Sequence, residues 1–518
     1  MASLDSAPPR ARRRWQEALA LFLLPFLYLL WRAPSFDSFF SNTDHGFQLA
    51  LGRQVLLGKV PYVDLFFYYG PLAAYTSALG FCCTDGPLAE IVICCIGYAL
   101  AAGFAGLAVR RHTSFLVSML VVAAMLLLLS RFYKWYYWCF PALVLFLLDR
   151  SLSCGVRQRR HALALGCAAG LAALYRLDLG LACAVLAGAV WVTSALRLDR
   201  RRLRQLPLLV LAGFAPMALW LVFLLTKGGA PAVLDYFRFT YEGAVSTVKV
   251  IHSPIPDVDW ARPFSSPSQV ALAFRLTPAL YLLCLVHCAV GLIRRRSEPE
   301  RLLVLGAAAL GGACIYPQAL HASEQQHLLQ TLALLPACLA LLLWDVLAVR
   351  NLGLRLVSSA CGLVVLVMLF QIRGGFDLGS LLESPERKLE NLARARGTKP
   401  LKPITVTESI ALSGQTVLVL PRPGDAYPTQ IYAWIHRPMA GIFSFYSAGF
   451  FTDDFWRLRN YREILRNPPA VVIAAPDVFR ARGSGGASYL PEIYAFVREH
   501  YTDVVLSENG RIVLRRGS

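Results

Sequence analysis

Nine polar side chains stand between the apolar runs of this chain where they could do chemistry. Asp44 and Asp64 lie twenty residues apart in NTDHGFQLALGRQVLLGKVPYVDLFFYYGP, residues 42–71. A carboxylate beside a membrane-length segment is a solvated loop charge, a helix cap, or a base that takes a proton from a reacting group. Arg131 and Lys134 lie in SRFYKWYYW, and Arg176 and Asp178 in LYRLDLG. Such cations snorkel from an interfacial aromatic belt, or they hold an anion at the headgroup plane. Arg176 is the strongest of the three, because ionisable groups at a membrane edge are costly and mark substrate sites. As a surface ion pair with Asp178 it would be worth only roughly 0–1 kcal/mol. In QALHASEQQHLL the HxxE and ExxH spacings set His321, Glu324 and His327 on one side of a helix. That pattern admits a divalent metal, but hydrogen bonding to a polar substrate is the preferred reading. Asp257, Asp259, Trp260 and Arg262, in the long stretch 227–269, are weaker candidates for substrate contact, with structural roles preferred.

The elements that must position these residues follow from composition. The chain has 518 residues, 56% hydrophobic and only 16% charged. A water-soluble domain sits near about 45–50% apolar and about 25% charged, so lipid solvates most of this chain. Eleven runs reach or approach the span of a bilayer core: 15–32, 87–109, 114–130, 136–149, 161–175, 178–196, 205–226, 270–293, 301–317, 328–348 and 355–372. The N-terminal basic stretch and first run lack a small-residue cleavage pattern and read as an uncleaved first helix. Dense arginine runs, among them PPRARRRW, DRSLSCGVRQRRH and LRLDRRRLRQ, fill every second gap, which makes those gaps cytoplasmic. The net charge of +19 is therefore an orientation signal, and nucleic acid is not an expected partner. The 13 cysteines are scattered, without CxxC or metal-ligand spacing, and read as small apolar residues. All nine candidate residues fall on the opposite, outer face, although the spans were set by apolar length alone.

Within the first outer loop, GFQLALGRQVLLG reads as a helix lying along the interface, with Phe47, Leu49, Ala50, Val55 and Leu56 as its apolar side. Residues 1–375 form the membrane domain and 376–518 an extracytoplasmic soluble α/β domain. In that domain GQTVLVLP and PPAVVIAAP read as buried strands, and FWRLRNYREILRN and LPEIYAFVREHY as amphipathic helices. VVLSENGRIVL is a hairpin turning at Asn509-Gly510, and ESPERKLENLARAR opens the domain with a helix.

Asp44 followed by LGRQVLLGKVPYVDLFFYYGP resembles the first outer loop of GT-C membrane glycosyltransferases. It is most similar to the family 39 group, which includes protein mannosyltransferases and the lipid A aminoarabinose transferase. LYRLDLG and the H…EQQH run are similar to bacterial members. The resemblance implies an α-helical polytopic GT-C-like fold of about eleven spans, followed by an outer domain. It also implies a multi-pass protein of the inner (plasma) membrane, its N-terminus cytoplasmic. The implied enzyme takes a sugar from a polyprenyl-phosphate donor and gives it to a glycan, lipid or protein acceptor at the outer face. Asp44 would be the catalytic base or a metal ligand, with Asp64 in support, and Arg176, Arg131 and Lys134 would neutralise the lipid phosphate. Several protein mannosyltransferases carry an acidic residue after that aspartate; His45 stands here instead, which favours a glycolipid or polysaccharide acceptor. The other functions compatible with the chain are a transporter or flippase of lipid-linked saccharides, a polymerase or ligase using such donors, and a scaffold. A transporter would require charges near mid-bilayer or broken helices at matching places in two halves, and the sequence displays neither.

Overall fold

The computed structural model describes residues 9–33, 43–129, 131–153, 158–250, 254–263, 265–294, 298–321, 323–347, 383–396, 416–420, 432, 437–443, 454–479, 490–508 and 511–517. Its helices run in order α1 (Pro9–Arg32), α2 (Thr43–Leu56), α3 (Pro71–Cys83), α4 (Leu88–Arg110), α5 (Phe115–Leu127), α6 (Tyr136–Ser153), α7 (Gln158–Tyr175), α8 (Leu177–Arg197) and α9 (Leu206–Val250). There follow α10 (Ser266–Ile293), α11 (Pro299–Ile315), α12 (Pro317–His321), α13 (Gln325–Thr331), α14 (Leu335–Leu347) and α15 (Pro385–Ala395). The C-terminal part adds β1 (Val417–Val419), α16 (Asp454–Arg466), β2 (Val471–Ala474), α17 (Pro491–His500), β3 (Asp503–Glu508) and β4 (Arg511–Arg515).

Every expected span coincides with a helix except 355–372, which lies outside the described residues. Among those described, five helical segments are long and apolar enough to cross a membrane, and α13 with α14 make a sixth broken by a 56° bend. That bend corrects the reading of 328–348 as one uninterrupted helix. A second correction concerns 227–269, expected as a loop. There α9 continues to Val250 past a break at Gly229, whose φ of 67° is left-handed and suits glycine.

The chain forms two compact units, interleaved in sequence. The first holds residues 1–33, 92–219 and 251–383. Its helices approach closely through small residues: a Cβ on Gly166 would come within 2.3 Å of the Leu209 carbonyl, and one on Gly170 equally close to that of Gly213. The arginine-rich gaps meet at one end of this unit. Arg111 Nη2 pairs with Glu300 at 2.7 Å, Arg110 Nε with Glu17 at 2.9 Å, and buried Arg202 donates to the carbonyls of Ser151 and Leu152 at the end of α6. These bonds satisfy helix-end carbonyls that would otherwise be orphaned. Most cysteines are buried as expected; Cys82, Cys83 and Cys167 are exposed.

The second unit holds residues 34–91, 220–250 and 384–518. Its sheet has the order β1-β2-β4-β3, with β1 parallel to β2 and the other pairs antiparallel. The strands, both amphipathic helices and the β3–β4 hairpin fall where the sequence pattern puts them; the Asn509-Gly510 turn lies outside the described residues. In this unit α2 is buried from His45 to Gln54 on every side, so it is a packed helix, not one lying along an interface. The cause is α3, thirteen residues of apolar helix too short to read as a span, which packs directly against α2. A Cβ on Gly52 would sit 2.5 Å from that of Ser77 and 2.7 Å from its backbone carbon. Gly52→Ala is therefore expected to cost about 2–3 kcal/mol, read as a lowered thermal midpoint in detergent.

Candidate functional site

In the first unit the structure gathers Arg131, Arg176, Asp178, Glu324 and His327 into two neighbouring clusters. α7 ends at Tyr175, and α8 begins at Leu177 after a single extended residue, Arg176. That turn lets the guanidinium fold back on the first turn of α8. Its Nε donates to Asp178 Oδ1 at 3.0 Å, its Nη2 to Asp178 Oδ2 at 3.1 Å and to Gln318 Oε1 at 3.2 Å. Gln318 Nε2 closes the ring by donating to Asp178 Oδ2, and Tyr137 Oη donates to the same oxygen at 3.4 Å. The Arg176 guanidinium lies over the Tyr137 ring, 5.5 Å from its centroid. A forked, doubly bonded guanidinium is fixed in plane, which a lysine could not be.

Asp178, Gln318 and Tyr137 also line a cavity of about 230 Å³. Its remaining walls are apolar and include Leu181, Val185 and Cys314. Leu181 is 65% and Val185 41% exposed, so the cavity opens sideways from the helix bundle. One apolar groove thus ends at one fixed polar cluster.

Arg131, Glu324 and His327 form the second cluster. Arg131 Nη2 pairs with Glu324 Oε1 at 2.6 Å, and His327 Nδ1 lies 2.7 Å from the same oxygen. Lys134, buried in the 3₁₀ turn Phe132–Lys134, acts electrostatically on His327 together with Arg131. Aromatic stacking joins the clusters: Tyr136 stacks on Tyr175 at 5.0 Å, and Trp135 meets it edge-on at 5.4 Å. His321 ends α12, and its side chain lies outside the described residues. Glu324 Oε1 thus serves a guanidinium and an imidazole. Among the described residues no three His, Cys, Asp or Glu side chains could hold a metal ion.

Asp44 and Asp64 belong to the second unit. Asp44 stands in the first turn of α2, and its side chain lies outside the described residues. Asp64 closes its own loop, Oδ2 accepting from Val60 N at 2.8 Å. Inside that loop Tyr62 adopts a φ of 62°, a costly conformation for a bulky residue, and its buried hydroxyl donates to the Tyr69 and Phe67 carbonyls. The same loop is fastened to segment 437–443. The Gln54 amide donates to Arg437 O at 2.9 Å and accepts from Met439 N at 2.8 Å, as a strand partner would. Lys59 Nζ donates to the Met439 and Gly441 carbonyls at 2.7 and 3.0 Å.

Burial lowers the Lys59 pKa to about 8, against the opposing pull of Asp64 and Glu463. With the folded value below the ordinary 10.5, the unfolded chain binds more protons between those pH values, so stability rises as pH increases from about 8 to about 10.5. The gain is up to about 3 kcal/mol. Thermal unfolding of wild type and Lys59→Met across that window checks it, because the variant should lose this part of the rise.

Sequence reasoning missed two participants. Gln318 had no signal beyond its place next to Pro317. Glu90, buried in the first turn of α4, did have one: it is an ionisable residue at the head of an apolar span.

No family model matches the sequence, and no curated protein matches it. Among solved structures, the aminoarabinose transferase ArnT from Cupriavidus metallidurans bound to undecaprenyl phosphate aligns over 96% of this chain and 97% of its own. The TM-score is 0.56 and the identity 14%. The archaeal oligosaccharyltransferase AglB from Archaeoglobus fulgidus, in complex with an inhibitory peptide and a dolichol-phosphate, aligns over 98% of this chain and 75% of its own. There the TM-score is 0.49 and the identity 12%. The likeness to ArnT is one of fold: this chain has the GT-C fold, with a small C-terminal sheet.

Proposed function

We propose that the chain is a membrane glycosyltransferase that moves a sugar from a polyprenyl-phosphate donor to a glycolipid, polysaccharide or protein acceptor. The reaction takes place at the extracytoplasmic face of the plasma membrane, where the C-terminal domain also lies. The observation that carries this reading is the apolar cavity lined at its polar side by Asp178 and Gln318, the two residues to which Arg176 is hydrogen-bonded. A prenyl chain suits its walls, and a phosphate suits a guanidinium whose plane is already set. The undecaprenyl phosphate bound to ArnT, which shares the fold, supports the same class of ligand.

The acceptor hydroxyl attacks the anomeric carbon, the bond from that carbon to the phosphate oxygen breaks, and the acceptor's proton passes to Asp44. Polyprenyl phosphate leaves, its developing charge met by Arg176, with Arg131 and Lys134 behind it. One displacement inverts the anomeric centre, and no second carboxylate at nucleophile distance is needed. Asp64 serves by holding the YVDLFFYYG loop in shape.

Purified protein in liposomes, given a synthetic polyprenyl-phosphate sugar with a labelled sugar, tests this. Label moving to a lipid or glycan acceptor, with free polyprenyl phosphate released, is expected. Among the described residues, the bent pair α13–α14 and the break in α9 at Gly229 are features that suit a transporter, and label crossing the bilayer still attached to its carrier would establish that reading instead.

A further inference from the structure

Four polar side chains are buried together where α2, α3 and the head of α4 meet. His45, Gln48, Ser77 and Glu90 are each at most 1% exposed. Gln48 Nε2 donates to Glu90 Oε1 at 3.0 Å and to Ser77 Oγ at 3.2 Å, and His45 Nε2 lies 3.6 Å from Glu90 Oε1. Among the described residues, Glu90 Oε2 and Gln48 Oε1 have no hydrogen-bond partner. Burying a carboxyl group with so few bonds is costly, so the contacts that it does make weigh on the local structure, and Gln48 and His45 are the described residues against Oε1. The backbone has little room to yield: Gly52 lies against Ser77, and a Cβ on Gly80 would come 3.1 Å from the Glu90 nitrogen.

This cluster does no work in the transfer as described, yet it grips one particular turn. His45 follows Asp44 directly, and Gln48 lies one helical turn below it. Gln48 is hydrogen-bonded to the Glu90 carboxyl group, and His45 packs against the same oxygen. We propose that Glu90 is a positioning residue for glycosyl transfer, acting through His45 and Gln48 to fix the α2 turn that carries Asp44. The inference rests on the reading of Asp44 as base. A tilt of that turn moves the carboxylate away from the acceptor hydroxyl, and misplacements of about 1 Å cost about a hundredfold in rate.

The test compares Glu90→Gln, His45→Gln and the double variant, with Asp44→Asn measured beside them in the liposome transfer assay. Glu90→Gln should lower kcat by tenfold to about a hundredfold, with KM for the donor lipid within about twofold of wild type and the yield of folded protein unchanged. The double variant should be no slower than the slower single one, because both break one link. If neutral amides here prevent folding, Glu90→Met with His45→Leu replaces the pair by apolar side chains; it should fold and remain slow. Wild-type kcat in Glu90→Gln or in the apolar pair overturns the proposal. So does a loss carried by KM, or multiplicative losses in the double variant. Wild-type transfer by Asp44→Asn would instead overturn the base assignment, whatever Glu90→Gln does.

Discussion

Asp44→Asn is expected to reduce glycosyl transfer by about a thousandfold or more, in line with the 10²–10⁴-fold that a placed general base supplies. The substitution keeps shape and removes one capacity. An amide oxygen can accept hydrogen bonds from the free backbone N–H groups of a helix's first turn as a carboxylate can, so helix stability should barely change. What the amide cannot do is hold a proton taken from an acceptor hydroxyl. Steady-state transfer on matched amounts of folded protein is the measurement. A variant that works at the wild-type rate would shift the search to Asp64, whose Oδ2 already accepts from Val60 N.

Arg176→Met should lower transfer by about a hundredfold and raise KM for the donor lipid, because the residue is assigned to a phosphate charged in both ground and transition states. Arg176→Lys should recover little. The guanidinium makes three directional bonds, two to Asp178 and one to Gln318, and one ammonium cannot reproduce that fork. A complication is that Arg176→Met strips Asp178 of its main counter-charge. The double variant Arg176→Met, Asp178→Asn removes that strain; if it transfers at the wild-type rate, the cation is structural and the phosphate is held elsewhere.

Much of the architecture was legible because its signals are local. Apolar length marks α4, α8, α10 and α11, and strand runs and an Asn-Gly pair mark the C-terminal sheet. What sequence did not disclose depends on contacts between distant segments. Helix α2 reads as amphipathic and interfacial because nothing in its own residues announces α3, which covers it. The continuation of α9 past Gly229 is too polar to count as span and too lacking in turn residues to be a true loop. Within the candidate site, the Arg176–Asp178 pair was readable from adjacency, whereas Gln318 lies 140 residues beyond Asp178. The Arg131–Glu324 pair spans 193 residues, and each partner was visible only singly. Glu90 and His45 likewise become partners only once three helices are packed.

The cavity beside α8 is walled in part by Leu181 and Val185, both exposed on the side of that helix. A molecule dissolved in the bilayer therefore finds it by a two-dimensional search within the leaflet. Occupancy follows the mole fraction of that molecule among the surrounding lipids, and its concentration per volume of solution is irrelevant. Enlarging detergent micelles at constant total ligand should thus mimic competitive inhibition, with no inhibitor present.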